Sequence, residues 1–530
     1  MPRLRLAVVL VVCVTCAGTT VRSQNLQSFI RLSTLATPIA RSPEVIRQQR
    51  VEVASLGMLL DRQRSTFLQL DLFRDVSVRI VRERIESTAH GMSWVGTVEG
   101  HPQSSALFVV AGDHLLGHIY LPFGFFVVVR QRDGSFLVQQ IDQSALTRGS
   151  DDVITPRTAA ADETSTARTG SADDGSVIDV LIAYTPGVLN GFGSGNALEA
   201  GIDMAVASTN RAFDISNVRT RLRLVHATRV EYEETGESGT ELTRLRNTGD
   251  GFLDVLHSLR DEYAADLVAL ITERMDDACG RTYLATPQSL GSIGFSVVRR
   301  GCLPGGTFSH EVGHSLSAQH DWYNDSNVAV YPYAHGYVDV ERRFRDLMST
   351  PEHCADTNTD CVRLLAYSNP RISYRGTPLG VPAGTSTACA AKNVANPPCD
   401  ADAAQALGYM ASWVARYRDS RLALSARRLL PGESFQSSSG RFRLTYQTDG
   451  DLAFFDDGTR TRLWASNTAG TAPGQALLQT DGNFVVYDAS GVGRWSSGTA
   501  GNPNAYLAVQ DDGNLVIYRS DGQPVWNRNQ

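Results

Sequence analysis

Three of the chain's eleven histidines fall within one stretch, His310-Glu311-Val312-Gly313-His314-Ser315-Leu316-Ser317-Ala318-Gln319-His320-Asp321. Residues four apart share one face of a helix, so His310 and His314 can offer two imidazoles to a single metal ion. Glu311 stands beside them, which leaves its carboxylate free to take a proton from water rather than to ligate. A catalytic zinc keeps three protein ligands and one open position. His320 is the candidate third ligand, provided the chain turns back after about Leu316. The chemistry would be metal-assisted hydrolysis, with Zn2+ held by His310, His314 and His320 and with Glu311 as general base.

The elements that must position these groups are legible nearby. The turn Gly305-Gly306-Thr307, with Thr307 as N-cap, predicts a helix from about residue 308. The spacing His-Glu-x-x-His-x-x-x-x-x-His resembles the metzincin metallopeptidases, and Asp321 after the third histidine resembles their reprolysin-like branch. That resemblance implies a methionine in a tight turn beneath the metal, a place that Met348 in Asp346-Leu347-Met348-Ser349-Thr350 fits. It also implies glycine where this chain has Ser317, at a turn that calls for a positive φ.

Upstream, Val177–Tyr184 reads as a strand, 196–213 as an amphipathic helix, 219–230 as a strand, 251–263 as a helix and Asp266–Ile271 as a buried strand. Residues 290–299 read as an edge strand leading into the zinc helix, on which an extended peptide could pair. A helix over 401–418 would close the unit. The expected fold class is therefore multidomain, with an α/β metzincin domain whose twisted mixed sheet carries the zinc helix. Over roughly 177–420, the order of elements and phrases such as Tyr333-Ala334-His335-Gly336-Tyr337 and Tyr367-Ser368-Asn369-Pro370 are similar to the bacterial peptidyl-Asp metallopeptidases. The similarity implies cleavage next to aspartate, with an arginine among many as its basic partner. His335 and His353 read as structural or surface residues.

Arg3 and Arg5 before an apolar run from Leu6 to about Ala17 read as a secretory signal peptide, residues 1–23; a lipoprotein site at Cys13 or Cys16 is the rival reading. Export agrees with the remaining cysteines, whose neighbouring couples predict Cys279–Cys302, Cys354–Cys361 and Cys389–Cys399 as disulfides. Residues 24–150 carry strand-like runs such as Trp94–Val98, Ala106–Val110 and Phe125–Val129, after a more helical stretch at about 43–62. This mainly β region loosely resembles the propeptides of reprolysin-like proteases; an extra binding domain is the alternative. It holds no cysteine, so it cannot silence zinc with a thiolate, and a carboxylate, a histidine or simple occlusion must do so. Residues 151–176, in a stretch from Thr147 to Gly175 rich in Ala, Ser, Thr and Asp, read as a flexible linker and activation site.

A repeat marks the C-terminal part, 424–530. Gln479-x-Asp481-x-Asn483-x-Val485-x-Tyr487 recurs as Gln510-x-Asp512-x-Asn514-x-Val516-x-Tyr518, with a degenerate earlier copy, Gln447-x-Asp449-x-Asp451-x-Ala453-x-Phe455. Trp464, Trp495 and Trp526 keep the same beat and are expected in the core. The repeat resembles the bulb-type, monocot mannose-binding lectins, an all-β three-fold prism (β-prism II). Alternate strand residues share a face, so each intact copy can present its Gln, Asp, Asn and Tyr to sugar hydroxyls, with the valine against the ring. The first copy has lost Asn, Val and Tyr and is expected to be silent.

A formal net charge of −7 with no basic run gives no surface for nucleic acid or an anionic membrane. The partners implied are protein substrates and mannose-type glycans. The reading is a secreted zinc endopeptidase made as a latent precursor and targeted by a lectin module; the alternative is a secreted lectin or adhesin with a non-proteolytic metzincin scaffold.

Overall fold

The computed structural model describes residues 28–34, 42–61, 66–146, 152–154, 177–286, 291–327, 331–385, 389–392, 398–415, 417, 428–432, 434–437, 441–479, 481–502, 505–510, 512–519 and 523–529. The signal-peptide reading of 1–23 lies outside these residues. Among the described residues no helix is long and apolar enough to cross a membrane.

The N-terminal region closes into a barrel of nine strands: β1 (Ile30–Leu32), β2 (Val45–Val53), β3 (Phe67–Phe73), β4 (Val76–Ser87), β5 (Gly91–Val98), β6 (His101–Ala111), β7 (His114–Leu121), β8 (Gly124–Arg130) and β9 (Phe136–Ile141). The helical expectation over 43–62 is corrected here. Val45–Val53 is strand β2, paired antiparallel with β9, and only the short helix Leu56–Leu60 follows. Its Arg and Gln residues suit a helix in isolation, but the ladder to β9 overrides that preference.

The unbroken apolar run of β8 has a reason in two cores. Phe126 and Val128 point into the barrel with Phe108, Val110 and Ile119, whereas Phe125 and Val127 point outward, with Leu107 and Val109, into the core of the next unit. A strand buried on both faces cannot alternate in polarity. The outer face docks on the helix Gly195–Ile215, where Arg211 makes a two-pronged bond to Glu83 (2.7 and 2.9 Å) and Asp203 meets His90 (2.9 Å).

The second unit is a six-stranded sheet in the order β10-β14-β15-β13-β11-β12, comprising β10 (Asp152–Ile154), β11 (Val177–Tyr184), β12 (Arg221–Arg229), β13 (Leu267–Thr272), β14 (Gly280–Tyr283) and β15 (Phe295–Arg299). It is parallel except where β14 runs antiparallel to β15. Two expectations change. The segment 290–299 yields β15, an inner strand; β14 lies outside it. The 151–176 stretch, read as linker throughout, contributes β10, which pairs parallel with β14 in the register Asp152↔Arg281 to Ile154↔Tyr283. The rest of that stretch lies outside the described residues. The long helix Gly195–Ile215 crosses behind the sheet, the helix Val255–Glu262 precedes β13, and Ala403–Val414 closes the unit with Asp402 as N-cap. The disulfides are Cys279–Cys302, Cys354–Cys361 and Cys389–Cys399.

The C-terminal part forms three antiparallel sheets: 428–429 with 473–478, 484–488 and 493–496; then 434–436, 442–446, 452–456 and 461–465; then 506–509, 515–518 and 524–527. Trp464, Trp495 and Trp526, one from each repeat, meet edge to face with ring centroids 5.1–5.7 Å apart.

Candidate metal centre

The sharp bend into the zinc helix is a glycine's work. Gly306 (φ +85°) ends the 3-10 turn Arg300–Gly305 and caps the helix Thr307–His314. The N-cap expectation for Thr307 is therefore corrected by one residue. A left-handed backbone at the cap favours glycine, and Thr307 becomes the first helical residue.

One turn apart, His310 and His314 project together, both fully buried. After His314 the chain folds back on its own carbonyls: Ser317 N–H bonds to the His314 carbonyl (3.0 Å) and Ala318 N–H to that of Gly313 (2.9 Å). Ser317 adopts φ +70°, so the turn is the left-handed one that glycine would make, and its hydroxyl donates to the Ala285 carbonyl. The reversal brings His320 round. The three Nε2 atoms then lie 3.0 Å (His310 to His314), 3.1 Å (His310 to His320) and 3.1 Å (His314 to His320) apart.

The tautomers follow from the outer bonds. His310 Nδ1–H donates to the Leu347 carbonyl (2.9 Å) and His314 Nδ1–H to that of Ala318 (2.7 Å), which leaves the Nε2 lone pairs facing inward. Burial lowers the proton affinity of all three rings, pushing His314 to about 3 and His320 to about 4. Neutral nitrogen lone pairs converging at about 3 Å repel one another unless a cation lies between them, and tetrahedral zinc accepts this donor set. The residues present fit the metal.

Around this group stand Met348, Asp321, His335 and His353, to which the sequence points, and Gly280 and Trp322, to which it does not. Met348 packs beneath the helix at Gly313, where a Cβ would meet its Sδ at 2.4 Å. Gly313, the residue before the second histidine, leaves the room that Met348 fills. His335 lies outside the metal group: its Nδ1–H donates to the His320 carbonyl (2.8 Å) and its ring stacks on Trp322 at 3.8 Å, so it holds the third histidine's backbone in place. His353 stacks on Tyr323 at 4.1 Å. Asp321 accepts from Thr350 N–H and Tyr323 N–H (3.1 Å each), tying the end of the histidine turn to the segment after Met348. Glu311 is buried on the same helix. A Cβ on Gly280, the first residue of β14, would lie 2.3 Å from Glu311 Oε1, so the strand starts directly against this carboxylate.

In the C-terminal repeats, Gln479 Nε2 donates to Tyr487 Oη (2.7 Å) and Gln510 Nε2 to Tyr518 Oη (2.9 Å), so each intact copy brings its two ends together. Asp481 and Asp512 accept from the N–H of Asn483 and Asn514 (3.0 and 2.8 Å). Val485 and Val516 are buried. The Asn483 oxygen accepts from Ser497 Oγ and Thr499 N–H (3.2 Å each). In the degenerate copy the Arg443 guanidinium lies over the Phe455 ring at 5.0 Å.

A model of the reprolysin-like metallopeptidase family M12B matches residues 175–373. A peptidyl-Asp metalloendopeptidase of Stenotrophomonas maltophilia (strain R551-3) is 36% identical over 211 residues, covering 39% of this chain and 48%, about half, of that protein. One from Stenotrophomonas maltophilia (strain K279a) is 30% identical over 369 residues, covering 65% of this chain and 83% of its own length. Among solved structures, the mannose-specific agglutinin of snowdrop (Galanthus nivalis) bulbs is 34% identical, covering 18% of this chain and 86% of that one with a TM-score of 0.17.

Proposed function

The chain belongs to the peptidyl-Asp metalloendopeptidase family of reprolysin-like zinc metallopeptidases, and from that premise we propose that it is a secreted endopeptidase that cuts proteins next to aspartate. We propose further that it is made as a latent precursor and carries a glycan-binding module. The observation that carries this reading is the convergence of His310 and His314, on one buried helix with Glu311, and of His320 from the turn that follows it.

His310, His314 and His320 would hold the zinc. When bound there, it supplies a Lewis acid that lowers the pKa of water to about 7 and polarises a carbonyl. Glu311 takes the proton of the attacking water and then gives it to the leaving amine. The Leu347 and Ala318 carbonyls hold two imidazoles in the tautomer and orientation that turn Nε2 inward, while burial keeps the rings neutral. Strand β14 offers its outer edge to an extended peptide, which lays a scissile carbonyl beside Glu311. The helix, the left-handed turn at Ser317 and Met348 beneath them make up the metzincin arrangement.

Residues 24–150 act as the propeptide. The reading is supported by the docking of the barrel on the helix Gly195–Ile215 and by β10, which lies along the β14 edge that substrate needs. Occlusion is thus the mode of silencing. Secretion is supported by the apolar run Leu6 to Ala17 and by three disulfides, which suit an oxidising compartment. In the C-terminal module, Gln479, Asp481, Asn483, Val485 and Tyr487, with Gln510, Asp512, Asn514, Val516 and Tyr518, form two mannose-type sites. These raise the local concentration of glycan-bearing substrates.

The test compares the chain, nicked in its linker, with Glu311→Ala. Both should bind zinc, and only the parent should hydrolyse a denatured protein, the variant losing about 10²–10⁴-fold. Zinc binding without turnover by the nicked parent would favour the non-proteolytic lectin reading.

A further inference from the structure

Cleavage next to aspartate needs a cation that receives the carboxylate, and arginine supplies the fork that does so with two parallel bonds. Several arginines of the peptidase unit are committed to carboxylates, as Arg223 is to Asp179, Arg300 to Glu273 and Arg371 to Asp402. Arg281, on β14 itself, is turned to Ser238 Oγ (2.7 Å) and Asp277 (3.7 Å). Arg345 donates to the Ser349 carbonyl.

Arg363 is placed differently. Its Nη2 comes within 3.0 Å of His310 Nδ1, and its guanidinium donates to the carbonyls of Leu347, on the methionine turn, and Gly305 (3.1 Å), just before the zinc helix. It is 2% exposed, so its charge sits in a low-dielectric setting. That charge bears on His310, His314 and His320 alike. An extended peptide on β14 directs alternate side chains into the protein. Arg363 is the cation that lies directly against the first histidine.

The N-terminal barrel covers the same spot. Gln143 clamps the main chain of Arg363 from both sides, donating to its carbonyl (3.0 Å) and accepting from its N–H (3.1 Å). A cavity of about 40 Å³ remains between barrel and peptidase there, lined among others by Tyr120, Gln143 and Arg363. Undocking of the barrel removes this cover and opens the approach to Arg363.

We propose that Arg363 is the specificity-determining residue that receives the substrate's aspartate carboxylate, in a pocket that opens beside His310 when the barrel undocks. This rests on the aspartate preference proposed above.

The experiment uses the full chain, nicked in its linker, and two peptides that differ only by Asp or Asn at the preferred position. Zinc content and Tm are recorded for every variant. The parent should favour Asp over Asn by 10²-fold or more. In Arg363→Gln, kcat/KM for the Asp peptide should fall on the order of 10²-fold while that for the Asn peptide changes by less than about threefold. Arg363→Lys keeps the charge without the fork, and should hold zinc while losing about 10-fold of the preference. Affinity for the Asp peptide, measured in the inactive Glu311→Ala background, should fall in parallel. Equal losses on both peptides, or an unchanged Asp/Asn ratio in both variants, would show a merely structural arginine and overturn the proposal. A parent that cleaves without preferring Asp, or cleaves neither peptide, would instead sink the reading on which the proposal rests.

Discussion

Gly313 and Met348 are in contact so close that a single added carbon on the glycine would fall 2.4 Å from the methionine sulfur, and 2.9 Å from a ring carbon of Tyr367. The floor of the metal group is therefore packed without slack. Gly313→Ala must displace Met348 or tilt the zinc helix, at a cost of about 1–3 kcal/mol. The expected outcome is a Tm several degrees lower and faster zinc loss to a chelator. An unchanged Tm with full zinc retention would show that the floor yields.

Ser317 occupies a backbone region that costs a side-chain-bearing residue about 1 kcal/mol, partly offset by its hydroxyl bond to Ala285. Removing the hydroxyl but keeping the Cβ loses the offset alone. Ser317→Ala should therefore destabilise by about 1 kcal/mol. Ser317→Gly, which loses the bond but relieves the backbone, should be near neutral. Urea titrations of both variants decide it, and equal losses would mean that the turn carries no strain.

His118 is buried on the outer face of β7, and neither ring nitrogen has a hydrogen-bond partner among the described residues. It borders a cavity of about 320 Å³ between barrel and peptidase, with Glu44, His114 and Arg130 on the barrel side and Ser208 and Arg300 opposite. Burial pushes its pKa down to about 3. The unfolded or undocked chain, titrating near the ordinary 6.5, takes up a proton that the docked chain refuses. Stability is thus fully present above pH 6.5 and is lost progressively as pH falls towards 3, by on the order of 2–4 kcal/mol. Co-elution of the nicked barrel with the peptidase, followed against pH, should weaken through this window. His118→Leu should flatten the dependence, and an identical pH profile in that variant would remove His118 as its source.

Val153 pairs with Thr282 in the middle of β10. Proline there cannot donate to the ladder, so Val153→Pro should loosen the strand from β14. The uncut variant should hydrolyse peptide at least several-fold faster than the uncut parent. Full activity in the uncut parent would contradict latency outright.

Much of the metal group was legible because it is local. The i, i+4 spacing of His310 and His314, the six residues to His320 and the methionine downstream are all written along the chain, and the structure gathers them into one group. The disulfide couples were legible for the same reason, each closing a short loop. What the sequence could not show depends on partners distant in the chain. Val45–Val53 looked helical because β9, its ladder partner, comes much later, and β15 looked like an edge because its outer neighbour β14 is only the four residues Gly280–Tyr283. Arg363 carried no local mark at all: it is one arginine among many until folding sets it against His310. The Asp–Asn–Tyr repeat was plain, whereas the inward use of the Asn483 oxygen needed the loop at Ser497 and Thr499.

The three indoles at the centre of the C-terminal module set the terms on which its repeats can diverge. Each of Trp464, Trp495 and Trp526 touches both of the others, so no repeat can be removed without leaving two rings facing a void. A copy can exchange the Asn, Val and Tyr of its motif, as the first has for Asp451, Ala453 and Phe455, and still be kept as a strut. The motif residues of such a module are free to drift copy by copy while its architecture is not.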